Sequence, residues 1–217
     1  MSFQYKKISG IILAAGRSER MNRVKQLLPF RDRTILGQVV ENALSSSLDE
    51  VVVVLGHAAE QIRRSVDFGD AKVVFNEDFG LGQSASLQAG LAAITNENAA
   101  ALFILGDQPL VGADIMDGII ERYQQHSARI VIPTYGGKRG NPVLIDRSVF
   151  SRLESLSGDV GARILFGEYA REIMEIEMGR EDTVFDVDTW DDYLRLSEME
   201  SNNMDQWSEA DAGNVKY

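Results

Sequence analysis

The sequence predicts a three-layer α/β fold with a mainly parallel sheet and a small antiparallel addition. Two observations carry this. Short β-rich apolar runs alternate with stretches of helical periodicity from residue 8 to about 128, and such alternation builds parallel sheets flanked by helices. Several runs, among them "EVVVVLG" (50–56), are continuous rather than alternating, as in strands covered on both faces. From about 129 to 185 the strict alternation breaks, which places the antiparallel part there.

In order, "ISGIILA" (8–14) reads as the first strand and "TILGQVVENALSSS" (34–47) as a helix, with apolar residues at 35, 36, 39, 40, 43 and 44. Strand 50–56 and a short helix at 57–66 follow, then strand "AKVVFN" (71–76) and helix 82–94 with Leu87, Leu91 and Ile94 on one face. "AALFILGD" (100–107) is a buried strand, and 113–126 an amphipathic helix with Ile115, Ile119, Ile120 and Tyr123 inward. Strands are expected at 129–135 and 141–146 around the turn "GGKRG". Helices are expected near 147–155 and 159–167, strands near 171–177 and at "VFDVD" (184–188), and a last helix from Trp190 to about Glu198.

The chain has 217 residues, 44% of them apolar and 25% charged, enough for one α/β domain with a full core. With no cysteine, disulfides, thiolate metal sites and a cysteine nucleophile are excluded, in keeping with a reducing compartment. No signal pattern and no apolar run of membrane-spanning length occurs, so the expected location is the cytoplasm. The net charge of −11 argues against nucleic-acid partners, which require a basic face. The stretch 198–217 holds five acidic residues against Lys216 and lacks periodicity. The expected organisation is therefore one domain over 1–197 and an acidic tail over 198–217.

Against that acidity, Arg17, Arg20, Arg23 and Lys25 cluster directly after the first strand, in "LAAGRSERMNRVK". A small-residue loop admits an anion to backbone N–H groups, and Arg and Lys add charge-assisted bonds to phosphate oxygens. Neither G-x-x-x-x-G-K-[ST] nor G-x-G-x-x-G is present, and a solvated basic turn is the plain alternative. Ligands in open α/β sheets sit beyond the carboxyl ends of the strands. Asp107 lies at such an end in "LGDQP", placed either for a magnesium ion, which takes one or two carboxylates plus phosphate oxygens, or to cap the next helix or start a turn before Pro109. Asp186 and Asp188 in "DVDT" share one side of the short strand expected there, although one of them, or Thr189, could cap the helix at Trp190. Ser84 and Ser86 open a helix after Gly80 and Gly82, and one of them reads equally well as an N-cap. His57 and His126 stand far apart and suggest no catalytic arrangement.

Taken together, "LAAGRSERM" with Lys25, "GQSASLQAG", "GDQP", "RGNPVL", "GDVGAR" and "DVDTWDDY" resemble the nucleotidyltransferases that complete the molybdenum cofactor, in particular the cytidylyltransferase branch. The resemblance runs from about residue 8 to 196. It implies a Rossmann-like nucleotidyltransferase fold and transfer of CMP from CTP to the terminal phosphate of molybdopterin or molybdenum cofactor, with release of pyrophosphate. The loop Leu13, Ala14, Ala15, Gly16, Arg17 and Ser18 would wrap the nucleotide phosphates. Arg20 and Lys25 would neutralise the triphosphate and, with Asp107, form the catalytic set. Asp107 and Asp188 would hold Mg2+, with Mn2+ as the alternative and Asp186 the less favoured ligand. Gln83 and Ser84 would face base or ribose, and Asn141, Pro142, Asp159 and Arg163 the pterin substrate.

Guanylyl-transferring relatives tend to carry "LAGG" where this chain has "LAAG", so the Cβ of Ala15 is expected to narrow the slot beside the base and favour a pyrimidine. Relatives commonly carry glycine where this chain has Asn22, which also tolerates positive φ. A molybdoenzyme or chaperone is the implied client. The competing readings are guanylyl transfer from GTP to the same cofactor, cytidylyl transfer to another phosphorylated acceptor, a non-catalytic maturation partner, and a nicotinamide oxidoreductase, which the missing glycine fingerprint disfavours.

Overall fold

A computed structural model describes residues 5–200. In chain order the elements are β1 (Ile8–Ala14), a hairpin of β2 (Pro29–Phe30) and β3 (Arg33–Thr34), α1 (Ile35–Leu44), β4 (Glu50–Leu55), α2 (Ala59–Ser65) and β5 (Lys72–Phe75). Then come α3 (Gln83–Ala93), β6 (Ala100–Leu105), α4 (Ala113–Gln125), β7 (Ile130–Tyr135), β8 (Lys138–Arg139), β9 (Val143–Asp146), α5 (Phe150–Glu154), β10 (Ile173–Glu177) and α6 (190–200). No helix among the described residues is long and apolar enough to cross a membrane.

The sheet runs β10-β7-β9-β6-β1-β4-β5, with β8 paired to β7. Strand β1 lies between β4 and β6, parallel to both. β9 is antiparallel to its neighbours β6 and β7, and β8 is antiparallel to β7. This is the mainly parallel sheet with an antiparallel addition that the sequence predicts.

Successive residues of β1 serve opposite layers. Ile12 joins the cluster of Leu36, Val40, Ile62, Ile115 and Ile119 under α1, α2 and α4. Ile11 joins Leu87, Leu91, Phe103 and Leu153 under α3 and α5. Helix α3 lies so close to β1 that a Cβ on Gly90 would stand 2.4 Å from Ile11 Cγ2. A third cluster, with Met21, Leu28, Phe30, Ile35, Phe185, Val187 and Leu196 buried together, fastens the loop after β1 to the segment before α6.

Two expected elements differ. "VFDVD" is no strand: a 3-10 turn over Glu181–Val184 leads into extended backbone without a place in the sheet. Its alternating pattern reflects Phe185 and Val187 filling the third cluster rather than a sheet face. The helix expected at 159–167 is a 3-10 turn over Ala162–Phe166. The β2–β3 hairpin and the 3-10 turns Glu19–Met21 and Lys25–Leu27 are additions too short to show periodicity. The turn Glu19–Met21 is bracketed by Ser18 and Asn22 at φ 54° and 50°, the left-handed conformation that asparagine tolerates. α6 continues through 198–200, and 201–217, most of the expected acidic tail, lie outside the described residues.

Candidate active site

A cleft of about 730 Å3 opens at the carboxyl ends of β1 and β6. The structure brings to it Leu13, Ala14, Ala15, Gly16, Arg17, Ser18, Arg20, Lys25, Gln83, Asp107, Asp159, Asp186 and Asp188. Ser86 lines it too, whereas Arg23 of the basic cluster does not, nor do Ser84, Asn141, Pro142 and Arg163, which the resemblance assigns to nucleotide or substrate. Ser84 is buried, and its hydroxyl donates to the Gly158 carbonyl at 2.8 Å, so it ties α3 to the 158–161 loop. Asn141 is buried and donates its backbone N–H to the Thr183 carbonyl at 2.8 Å. Pro142 beside it is buried, and Arg163 is exposed outside the cleft lining.

The loop after β1 is held from below. Gly106 N–H donates to the Leu13 carbonyl at 3.0 Å, and a Cβ on Gly106 would lie 2.9 Å from Ala14 Cβ. Gln26 is 3% exposed and still lines the cleft. Its amide donates to the carbonyls of Ala14 and Gly16, both at 3.4 Å, and accepts from the Ser18 hydroxyl at 3.3 Å. Ala15 is buried against Gly56, and its carbonyl accepts from His57 N–H at 3.2 Å. The Arg17 guanidinium stacks 5.6 Å from the Phe79 ring centroid on the cleft lining.

The charged groups engage one another. Lys25 Nζ stands 2.5 Å from Asp107 Oδ2 and 2.8 Å from Asp188 Oδ1, and Arg20 donates to Asp188 Oδ2 at 3.0 Å. Burial works against the Lys25 ammonium, but the carboxylates of Asp107 and Asp188 outweigh it and hold its pKa above the usual lysine value. Burial, reinforced by the neighbouring Asp107 and Asp188 charges, pushes the Asp186 carboxyl up to about 6, while a hydrogen bond from Gln108 pulls the other way. Asp107 Oδ1 is buried with no hydrogen-bond partner among the described residues.

The helix-capping alternatives are resolved by geometry. The N-cap of α4 is Gly112, not Asp107. At α6, Thr189 Oγ1 accepts from Asp192 N–H at 3.2 Å, and Asp192 Oδ2 accepts from Thr189 N–H at 2.8 Å. Asp107, Asp186 and Asp188 are left to the cleft.

This donor set suits a small, hard divalent ion. It offers carboxylate oxygens only, one of them buried without a partner, and magnesium and manganese prefer such ligands. No group of three or more His, Cys, Asp or Glu side chains placed to hold a metal occurs among the described residues. An ion here would therefore complete its shell from water and a bound phosphate, which is the usual magnesium pattern.

Sequence reasoning passed over Gln26, Phe79 and Gln108 as site residues. Gln108 stood directly beside Asp107 in "GDQP". The role of Gln26 depends on how the loop folds back, and no local pattern signals it.

Comparison with known proteins places the chain in a family. Residues 10–173 match the family described as MobA-like NTP transferase domain. Nicotine blue oxidoreductase of Paenarthrobacter nicotinovorans is 31% identical over 198 residues, which cover 87% of this chain and 96% of that protein. Molybdenum cofactor cytidylyltransferase of Escherichia coli K12 is 25% identical over 194 residues, covering 88% and 96%. The crystal structure of Rv0371c from Mycobacterium tuberculosis H37Rv superimposes with a TM-score of 0.81 at 34% identity, over 90% of this chain and 99% of that one. Rv0371c has also been crystallised in complex with manganese; that structure gives a TM-score of 0.76 at 35% identity, over 88% and 98%. The chain belongs to the MobA-like NTP transferase family, a family of nucleotidyltransferases.

Proposed function

We propose that the protein transfers CMP from CTP to the terminal phosphate of molybdopterin or molybdenum cofactor and releases pyrophosphate. The observation that carries this reading is the convergence, in one cleft, of the Ala14–Ser18 loop and Lys25 with Asp107 and Asp188 from distant parts of the chain. The E. coli cytidylyltransferase, alignable over nearly its whole length, supports the choice of nucleotide and acceptor, and the manganese complex of Rv0371c supports a divalent ion.

The loop N–H groups and Arg20 cradle the triphosphate, and Lys25 balances the charge of the departing pyrophosphate. An oxygen of the acceptor phosphate forms the new bond to the α-phosphorus as the bond from that phosphorus to the β-bridging oxygen breaks. The attacking phosphate is already ionised near neutral pH, so alignment and charge neutralisation are the demands, and no general base is needed. Asp107 and Asp188 would hold Mg2+ or Mn2+, which supplies Lewis-acid neutralisation of the phosphate oxygens. Gln83 and Asp159 are the residues of the cleft nearest to a role in base and pterin recognition. The product dinucleotide would pass to a molybdoenzyme.

A second reading follows from the relative named as an oxidoreductase. Hydride transfer would leave the Lys25–Asp107–Asp188 set without a task. Pyrophosphate release by the purified protein, with CTP or GTP and molybdenum cofactor, run beside an assay for nicotinamide cofactor oxidation, separates the two. The proposal expects pyrophosphate with CTP and no cofactor oxidation. Pyrophosphate with GTP alone would make the protein a guanylyltransferase, and cofactor oxidation without pyrophosphate would favour the redox reading.

A further inference from the structure

One ammonium spans both carboxylates of the candidate metal site. Lys25 Nζ is within 2.8 Å of Asp107 Oδ2 and Asp188 Oδ1, and its side chain is only 12% exposed. It occupies one oxygen of each carboxylate while Asp107 Oδ1 keeps no partner, and its charge, which offsets the repulsion between two carboxylates facing one cleft, opposes a divalent ion bridging the pair. Lys25 also has a second destination. It opens the turn Lys25–Leu27, whose Gln26 braces the phosphate-binding loop, and it lines the same cleft as that loop. A bound triphosphate offers the ammonium oxygen partners of higher charge.

We propose that Lys25 is a resident cation that the divalent ion must displace, and that the nucleotide's triphosphate draws it away, so that metal and nucleotide bind cooperatively through this one side chain. The proposal rests on the reading of Asp107 and Asp188 as metal-holding carboxylates. Without nucleotide, the ammonium competes with the metal and keeps its affinity low. With nucleotide, Lys25 pairs with phosphate and both carboxylates become available. Linkage requires the reciprocal effect: metal strengthens nucleotide binding by the same factor.

Removing any positive charge near a cation site raises cation affinity somewhat. Arg20 supplies the internal comparison. It carries the same charge and pairs with Asp188, but its side chain is 72% exposed and it has no bond to Asp107.

The test is Mn2+ binding to the full chain, read by electron paramagnetic resonance of the free ion, for wild type, Lys25→Met and Arg20→Met. Without nucleotide, Lys25→Met is expected to bind Mn2+ about tenfold more tightly than wild type, and Arg20→Met no more than about threefold, the first lying within the usual range of site coupling. Equal tightening by the two variants overturns the proposal. The titration is repeated with a non-hydrolysable CTP analogue, corrected for ion chelated in solution. The factor by which the analogue strengthens Mn2+ binding should shrink about tenfold in Lys25→Met, and an unchanged factor overturns the proposal. Lys25→Gln, which can still donate one hydrogen bond, replaces the methionine variant if that variant does not fold. Loss of all Mn2+ binding in Asp107→Asn supports the carboxylate reading. Absence of Mn2+ binding in wild type and Lys25→Met alike, with or without the analogue, overturns that reading and the proposal with it, and is distinct from binding that is indifferent to Lys25.

Discussion

Val187 N–H donates to the carbonyl of Asp107 at 3.2 Å. This bond lays the segment before α6 across the carboxyl end of β6. Val187 is itself fully buried in the third apolar cluster, so its extended neighbours Asp186 and Asp188 turn the other way, into the cleft. Apolar burial on one side of a short segment thus positions carboxylates on the other.

In the proposed reaction Lys25 balances the charge of the triphosphate, and Lys25→Ala removes that counter-charge. The expected result is a fall in kcat of at least ~100-fold, the usual cost of losing one group that stabilises developing charge. Saturating Mg2+ should not restore the rate in a steady-state pyrophosphate assay, even though the metal then binds more readily. Restoration by Mg2+ would reduce the lysine to a partner of the carboxylates.

Asp186 has a pKa raised to about 6 by burial and by its acidic neighbours. A carboxyl with a raised folded-state pKa contributes stability below its unfolded value, and that contribution is lost as pH climbs through the folded value. In metal-free protein the stability should therefore fall between about pH 4 and 6, by roughly 3 kcal/mol from this group. Asp186→Asn, which keeps an acceptor for Gln108, should flatten that part of the profile and raise Tm at pH 7. Melts across the range in EDTA check this, and an unchanged profile would mean that Asp186 titrates as an ordinary surface carboxyl.

Gly82 has φ +107°, and a Cβ there would stand 2.5 Å from Asp159 N and from Gly158 C. Gly82→Ala should cost roughly 2 kcal/mol or more in urea unfolding. It should also lower activity, because Gln83 and Asp159 of the cleft are joined across this contact by a hydrogen bond of 3.3 Å.

Gln26→Leu keeps the volume and loses the bonds to Ala14, Gly16 and Ser18. KM for the nucleotide should rise about tenfold, the equivalent of one or two net hydrogen bonds. Loss of ground-state binding leaves kcat nearly untouched. Equal falls in kcat and kcat/KM would instead assign Gln26 a task in the transition state.

The strands β1, β4 and β6 were legible because burial on both faces writes itself as continuous apolar runs. Helix α1 was legible from its periodicity, and its cap is a Thr34 side chain accepting from Gly37 N–H at 3.0 Å. The basic loop and Asp107 were legible as separate pieces at strand ends, and the "DVD" aspartates as a pair on one side of an alternating run. Their mutual pairing was not, because which cation meets which carboxylate depends on the third apolar cluster, assembled from residues far apart in the chain. "VFDVD" misled for the same reason: alternation records which residues are buried, and a loop packed on loops can alternate as a strand does. Asn141, Pro142 and Arg163 were placed by resemblance alone, and the fold does not set them on the cleft wall.

The most direct test compares wild type with Asp107→Ala in pyrophosphate release from CTP, with molybdenum cofactor as acceptor and Mg2+ present. Wild type is expected to release pyrophosphate, matched by cofactor carrying CMP, and the variant to turn over at least ~1000-fold more slowly, as when a metal-holding carboxylate is lost. A variant that turns over near the wild-type rate, or a wild type that releases no pyrophosphate from either CTP or GTP, would contradict this.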